Sequence, residues 1–198
     1  MSLFAWYQHD THWSRAGLVC ASVLLALSPF LWAGLGPVAF LVFLHLPIYL
    51  VHQFEEHGHG AFKAEVNQLL PPRIKRVSDA KIFWINILAV WVLLIVVLYL
   101  AVYVNPAIGL VAPYLVVVNG LLHTLMAIGR RRPNAGLWTS LTLFLPVGGV
   151  SIVLISGAIQ ASVVAHLAAL SVAILGHVVI FGVIALDQIR NPRPAPVQ

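Results

Sequence analysis

One short segment of the chain carries an imidazole and two adjacent carboxylates near the end of a long apolar run. It reads His52-Gln53-Phe54-Glu55-Glu56. Ionisable groups at membrane depth are costly and rare, and they are usually functional. On a helix His52 and Glu56 share a face, because they are four residues apart. Two adjacent carboxylates repel each other when both are ionised, which indicates either a bound proton or a cation between them.

Polar side chains occur at a comparable depth in three other apolar runs. With a rise of about 1.5 Å per residue, His52, Asn86, His123 and His177 lie about 8 to 15 Å from the nearer end of their runs. Imidazole and carboxylate are the ligands of zinc, iron and manganese sites. We therefore expect a divalent metal ion, zinc ahead of iron, with these ligands: His52, Glu56, His123 and His177. The residues expected to support the ligands are His45, Asn86 and Asn119.

The spacing within the segment also suggests a mechanism. In the inverted zincin motif H-x-x-E-H, two ligands four residues apart hold the metal and the intervening glutamate acts as a base. Here a glutamate stands where the second histidine would be. We therefore expect His52 and Glu56 to bind the metal, with Glu55 as the catalytic base that activates a water. His45, His52 and His59 are seven residues apart, which predicts one helical stripe of imidazoles.

The elements that must position these residues are transmembrane helices. The chain has 198 residues, of which 61% are hydrophobic and 9% are charged, and its mean hydropathy is +0.95. A water-soluble fold would leave much of this apolar surface exposed. We predict one all-α domain, a polytopic bundle of six transmembrane helices of about 20 residues each. The predicted spans are 16–33, 36–57, 82–104, 107–128, 137–156 and 161–186.

The distribution of basic residues predicts the orientation of this bundle. All 11 lysines and arginines lie at the two ends of the chain or in the second and fourth connections. Basic residues mark the cytoplasmic side of spans, so both termini are expected in the cytoplasm and the protein in the inner (plasma) membrane. The net charge of +5 then matches anionic membrane lipids, and no motif for nucleic acid is present.

The segment from His52 to Glu56, six apolar spans and a further intramembrane histidine resemble the bacterial HXXEE-motif family of membrane proteins. The resemblance covers most of such chains and implies a functional site, but the family has no established activity. Its pattern also includes a Y-x-P-G element. The nearest stretch here, residues 132–137, keeps Pro133 and Gly136 and lacks the tyrosine.

Three classes of function fit these residues. The first is a metal-dependent hydrolase acting on a lipid-like, amphiphilic substrate whose tail stays in the bilayer. The second is an iron oxidoreductase, with carboxylates and histidines as in di-iron helical bundles. The third is a non-enzyme, either a proton or metal-ion carrier or a haem protein with paired axial histidines.

Overall fold

The computed structural model describes residues 6–69 and 77–190, which are helical and contain no strand in those ranges. The predicted all-α membrane fold is confirmed. The basic residues Arg73, Lys75 and Arg76 of the second connection lie outside the described residues. The helices are α1 (Asp10–Ala26), α2 (Ser28–Leu35), α3 (Pro37–His57), α4 (Ala61–Leu69), α5 (Asp79–Tyr103), α6 (Pro106–Arg130), α7 (Leu137–Ile159) and α8 (Val163–Arg190).

Five of these helices are single spans, and the first predicted span has a different form. Helices α3, α5, α6, α7 and α8 are long and apolar enough to cross a membrane. In place of one helix over 16–33, residues Thr11–Ala26 and Ser28–Leu35 form a pair bent by 60°. Pro29 causes this break, because proline has no N–H for the carbonyl of Leu25. The Ser28 hydroxyl donates to that carbonyl oxygen instead (2.6 Å). The bundle therefore has six spans if the bent pair counts as one.

Helix α3 is central to the bundle and packs against α1, α5, α6 and α7. Its buried side chains, such as Val42 and Ile48, join an apolar core with residues of the other spans, including Leu110 and Phe144. Helices α7 and α8 both pack against α6. The polar groups of α3 and α6 consequently face each other inside the bundle, away from lipid.

Two helices contain a π-helical segment, Ile87–Val92 in α5 and Ser140–Phe144 in α7. A π-helix is wider than an α-helix, so residues five apart come to lie on the same side. In α5 this brings Asn86 and Trp91 to one buried side chain, Gln53 of α3. Gln53 Nε2 donates to Asn86 Oδ1 (2.8 Å), and Trp91 Nε1 donates to Gln53 Oε1 (2.7 Å). This network fixes the end of α3 that carries the histidine and glutamates.

Candidate metal centre

The carboxylate of Glu56 lies between two buried imidazoles. Its Oε2 is 3.6 Å from His52 Nε2, one turn earlier on α3, and its Oε1 is 3.6 Å from His123 Nε2 on α6. One ligand atom from each of these three residues lies within 4.8 Å of the other two. The structure therefore brings together three of the four expected ligands. We call them the His52–Glu56–His123 cluster.

Hydrogen bonds fix the proton of His52 on Nδ1. Thr139 Oγ1 donates to Glu55 Oε2 (2.6 Å), since an ionised carboxylate only accepts. The hydroxyl proton is thus used, and His52 Nδ1 must donate to Thr139 Oγ1 (2.8 Å). Neutral His52 then has an unprotonated Nε2, and this buried atom has no hydrogen-bond partner within residues 6–69 and 77–190. Its lone pair is available to a cation.

Asn134 fixes His123 in the same way. Asn134 Nδ2 donates to the backbone carbonyl of His123 (2.7 Å), which orients the amide so that its Oδ1 faces the imidazole. His123 Nδ1 therefore donates to Asn134 Oδ1 (2.9 Å), leaving Nε2 unprotonated toward Glu56. Such outer hydrogen bonds fix the tautomer and orientation of metal-binding histidines.

The turn before α7 lies directly against both imidazoles. Gly136 has a φ of +87°, a conformation that side chains disfavour. A Cβ atom there would lie 2.7 Å from His52 Cε1 and 2.9 Å from His123 Cε1. The π-helical segment of α7 completes the enclosure of the His52 ring. Phe144 packs on this ring with centroids 4.2 Å apart. Thr139, five residues earlier, contacts His52 Nδ1 through its hydroxyl. Glycine is thus required for the backbone to close over the cluster.

These contacts make the cluster a candidate site for a cation. Two imidazole lone pairs and a carboxylate converge, and acceptors facing acceptors repel unless a positive charge lies among them. In a tetrahedral zinc site with bonds of about 2.0 to 2.1 Å, ligand atoms lie about 3.3 Å apart. The two separations of 3.6 Å from Glu56 therefore fit such an ion after small side-chain movements.

Glu55 lies beside the cluster but faces the start of α7. Its Oε1 accepts from the backbone N–H of Trp138 (3.0 Å), and its Oε2 accepts from the backbone N–H of Thr139 (2.7 Å) as well as from the Thr139 hydroxyl. A carboxylate at a helix N-terminus satisfies free N–H groups and is favoured by the helix dipole. Glu55 therefore anchors α7 to α3, and through Thr139 it holds His52.

His177 lines the same cavity as Glu56 and His123, but none of its atoms is among the three ligand atoms that converge. Its Nδ1 contacts the carbonyl oxygen of Ala173 (2.8 Å) and so donates to it. Its Nε2 is buried, unprotonated in the neutral ring, and has no hydrogen-bond partner in the described ranges. As a metal ligand His177 stays a prediction.

The residues expected to support the ligands have other contacts. His45 Nδ1 donates to the carbonyl of Leu41 (2.7 Å), within α3. Asn86 holds Gln53, as described above. Asn119 Nδ2 donates to the hydroxyl of Tyr49 (3.0 Å), whose ring packs edge-on against His52 at 5.7 Å. Of the three, Asn119 is thus the one connected to a ligand, through Tyr49.

The predicted stripe of imidazoles ends earlier than expected. His59 is exposed, because α3 ends at His57 and the chain turns there. His57, which the spacing did not single out, is buried instead, and its Nε2 lies 3.3 Å from Glu56 Oε2. Its ring packs against Trp13 and Phe62, each at a centroid distance of 4.9 Å. His57 is therefore a further member of the site's polar wall.

A cavity of about 270 Å³ adjoins the cluster. Glu56, His57, His123 and His177 contribute polar groups to its wall. Most of the remaining wall is apolar and comes from α4, α5, α6 and α8, including Phe62, Val66, Ile82, Ile85, Val90, Leu122, Met126, Ile180, Phe181 and Ile184. The site thus combines a cluster of polar side chains with a space suited to apolar groups.

Comparison with known proteins places the chain in a family. Residues 43–151, more than half of the 198, match the model of a protein family of unknown function with an HXXEE motif. The matched region contains the cluster, Asn134, Gly136 and Thr139. Searches of curated proteins and of solved structures found no match. The chain is therefore a multi-pass membrane protein that belongs to the HXXEE-motif family.

Proposed function

We propose that this protein is a metal-dependent membrane hydrolase that acts on an amphiphilic, lipid-like substrate. The observation that carries the proposal is the convergence of ligand atoms from His52, Glu56 and His123 within 4.8 Å of one another, beside a largely apolar cavity. A divalent ion held there supplies Lewis acidity to a carbonyl or phosphoryl oxygen and acidifies water. The surrounding transmembrane helices exclude bulk water from this chemistry.

The residues divide into ligands, positioning groups and a base. His52, Glu56 and His123 hold the ion. Glu55 was expected to be the base, but three donors of α7 engage its two oxygens. We assign Glu55 to positioning and the base to His177, whose Nε2 has a free lone pair and which lines the same cavity. General-base catalysis of this kind contributes about 10² to 10⁴ in rate.

The iron oxidoreductase is the weaker alternative. Di-iron bundles take glutamates from each of four helices. The cluster contains one carboxylate, that of Glu56. This donor set favours a single ion bound by two histidines and one carboxylate, the composition of many hydrolytic zinc sites.

Metal analysis and hydrolysis assays test the proposal together. Protein purified in detergent is expected to contain one zinc per chain and to cleave a fluorogenic ester with a long acyl chain, losing activity with a chelator and regaining it with zinc. His123→Ala should abolish both properties. His177→Gln should retain zinc and lose at least about 10² in rate.

His166→Ala is the matched control, because His166 contacts Tyr114 (2.9 Å) outside the cluster. It should retain zinc and activity. Wild-type protein that binds no divalent metal after exposure to zinc overturns the metal centre. Bound zinc with no hydrolysis of any acyl or phosphoryl ester overturns the hydrolase.

We further propose that the end of the bundle that carries Lys63 and Arg131 faces the cytoplasm, together with both termini, because basic residues mark that side. Single cysteines can be placed at exposed positions in a Cys20→Ala background. A membrane-impermeant maleimide added to intact cells should label Gly34→Cys and Gly157→Cys but not Ala64→Cys. Labelling at position 64 alone would reverse the orientation.

A further inference from the structure

The cavity next to the metal centre is elongated along α6. Asn119, His123, Met126 and Arg130 all line it, at successive spacings of four, three and four residues. These spacings place the four side chains on one helix face, over about 16 Å of axis. The cluster therefore lies midway along the cavity, and Arg130 lies about 10 Å from the level of His123, toward the end of the helix.

The apolar wall reaches the lipid-facing surface of the bundle between α5 and α8. Ile85 of α5 and Ile180 of α8 both line the cavity. Phe181 also lines it, yet its side chain is 52% exposed on the outside of the protein. Helix α8 packs against α6, and α5 packs against α3. Helices α5 and α8 are not among the closely packed helix pairs of the described residues, so we place the lateral access of lipid-phase molecules between them.

The end of the cavity near the C-terminus of α6 carries a half-buried guanidinium. The Arg130 side chain is 22% exposed, and its Nη1 lies 3.5 Å from Glu65 Oε2. Glu65 is itself held by the backbone N–H of Ala135, which donates to Oε1 (3.2 Å). A guanidinium has five N–H donors in a planar fork suited to carboxylate and phosphate. Within the described ranges its one ion-pair partner is Glu65, at a long distance, which leaves most of these donors for a ligand.

We propose that the cavity binds an anionic single-chain amphiphile, with its carboxylate or phosphate at Arg130 and its apolar tail between α5 and α8. The molecule comes from the bilayer, so its tail never has to cross water. The proposal rests on the proposed function only where it places the substrate's reacting bond beside the metal centre. Binding itself depends on the charge of Arg130 and on the apolar wall.

The test uses metal-stripped wild-type protein in nanodiscs, where no turnover occurs. A photoactivatable fatty acid with a diazirine in its chain is the probe, and mass spectrometry locates the labelled peptides. Labels are expected on residues 79–92 and 177–186. Unlabelled oleate and lysophosphatidate should compete at least about 10-fold better than lysophosphatidylcholine of the same chain length, the effect of about one charge-assisted contact. The two anions distinguish carboxylate from phosphate recognition.

Two pairs of variants sharpen the result. Arg130→Gln should remove the preference for anions, whereas Arg132→Gln, an exposed arginine that does not line the cavity, should retain it. Ile180→Trp should fill the cavity and reduce labelling about 10-fold or more, and lipid-facing Val179→Trp should not.

Equal competition by the zwitterionic lipid, or labels spread over all lipid-facing helices, overturns the inference. Zinc content and hydrolysis of a short, soluble ester are measured on the same preparations after zinc has been restored. They reveal a failure of the proposed function separately from a failure of amphiphile binding.

Discussion

Thr139 connects Glu55 to His52, and removing its hydroxyl tests whether this connection prepares the metal centre. Thr139→Val preserves shape but leaves the buried His52 Nδ1–H without an acceptor, which costs about 1–3 kcal/mol. Replacing an outer hydrogen-bond partner of a metal ligand typically lowers metal affinity 10- to 100-fold, or about 1.4–2.7 kcal/mol. The free-energy cost of the lost acceptor and the expected loss of metal-binding free energy therefore agree. We expect zinc affinity to fall by this factor while the protein stays folded, because Glu55 retains both backbone donors of α7.

Zinc affinity is measured in detergent by competition with a chromophoric chelator. Thr142→Val is the matched control, because Thr142 is exposed on the same helix and its hydroxyl donates to the Trp138 carbonyl (2.7 Å) away from the cluster. Thr139→Ser retains the hydroxyl and should restore most of the affinity. Wild-type affinity in folded Thr139→Val would refute the reasoning that this hydroxyl orients His52.

Three further changes test the same centre from other sides. Asn134→Leu removes the acceptor that fixes the second imidazole and should lower zinc affinity about 10- to 100-fold in the competition assay; an unchanged affinity would contradict its role. Gly136→Ala should lower the thermal unfolding temperature as well as zinc affinity, because strain at this φ costs about 1–3 kcal/mol and the new methyl meets both rings. Glu55→Gln should lower the free energy of unfolding of the metal-free protein by about 1–3 kcal/mol, because the new amide N–H₂ faces N–H donors. Glu56→Gln should instead lower the zinc content, and it should leave the unfolding temperature of the metal-free protein unchanged or higher. The opposite pattern in the two glutamine variants would reverse their assigned roles.

The convergence of His52, Glu56 and His123 follows from features that a sequence shows directly. Helical periodicity places His52 and Glu56 on one face, and the depth of His123 in its own apolar run puts it at the same level. All three residues are polar or ionisable groups in membrane spans, and such groups must face the protein interior. These constraints are local or depend on depth alone, so they hold without knowledge of the packing.

The parts that the sequence analysis missed depend on backbone irregularities. Thr139 and Phe144 reach the same imidazole because α7 is π-helical between 140 and 144, and regular helical spacing would separate them. Asn134 and Gly136 lie in the turn before α7, where helical periodicity does not predict which side chains contact each other. The stretch 132–137 had a visible signal, since it was the nearest counterpart of the family's second motif. The break of the first span was also readable, from Pro29 in the middle of its apolar run.

The two adjacent glutamates show how one helix end can carry two carboxylates at membrane depth. Because they are about 100° apart around α3, each faces a different partner. Glu55 accepts from three donors at the start of α7, where the helix dipole also favours a negative charge. Glu56 is 7% exposed and faces the Nε2 atoms of His52 and His123, neither of which carries a proton in the neutral ring. A buried carboxylate without compensation is strongly unfavourable. The fold itself balances the charge of Glu55 with three donors, whereas Glu56 has one close imidazole, His57 Nε2 at 3.3 Å, beside the two unprotonated nitrogens. This difference is why we propose the metal at the second glutamate of the motif.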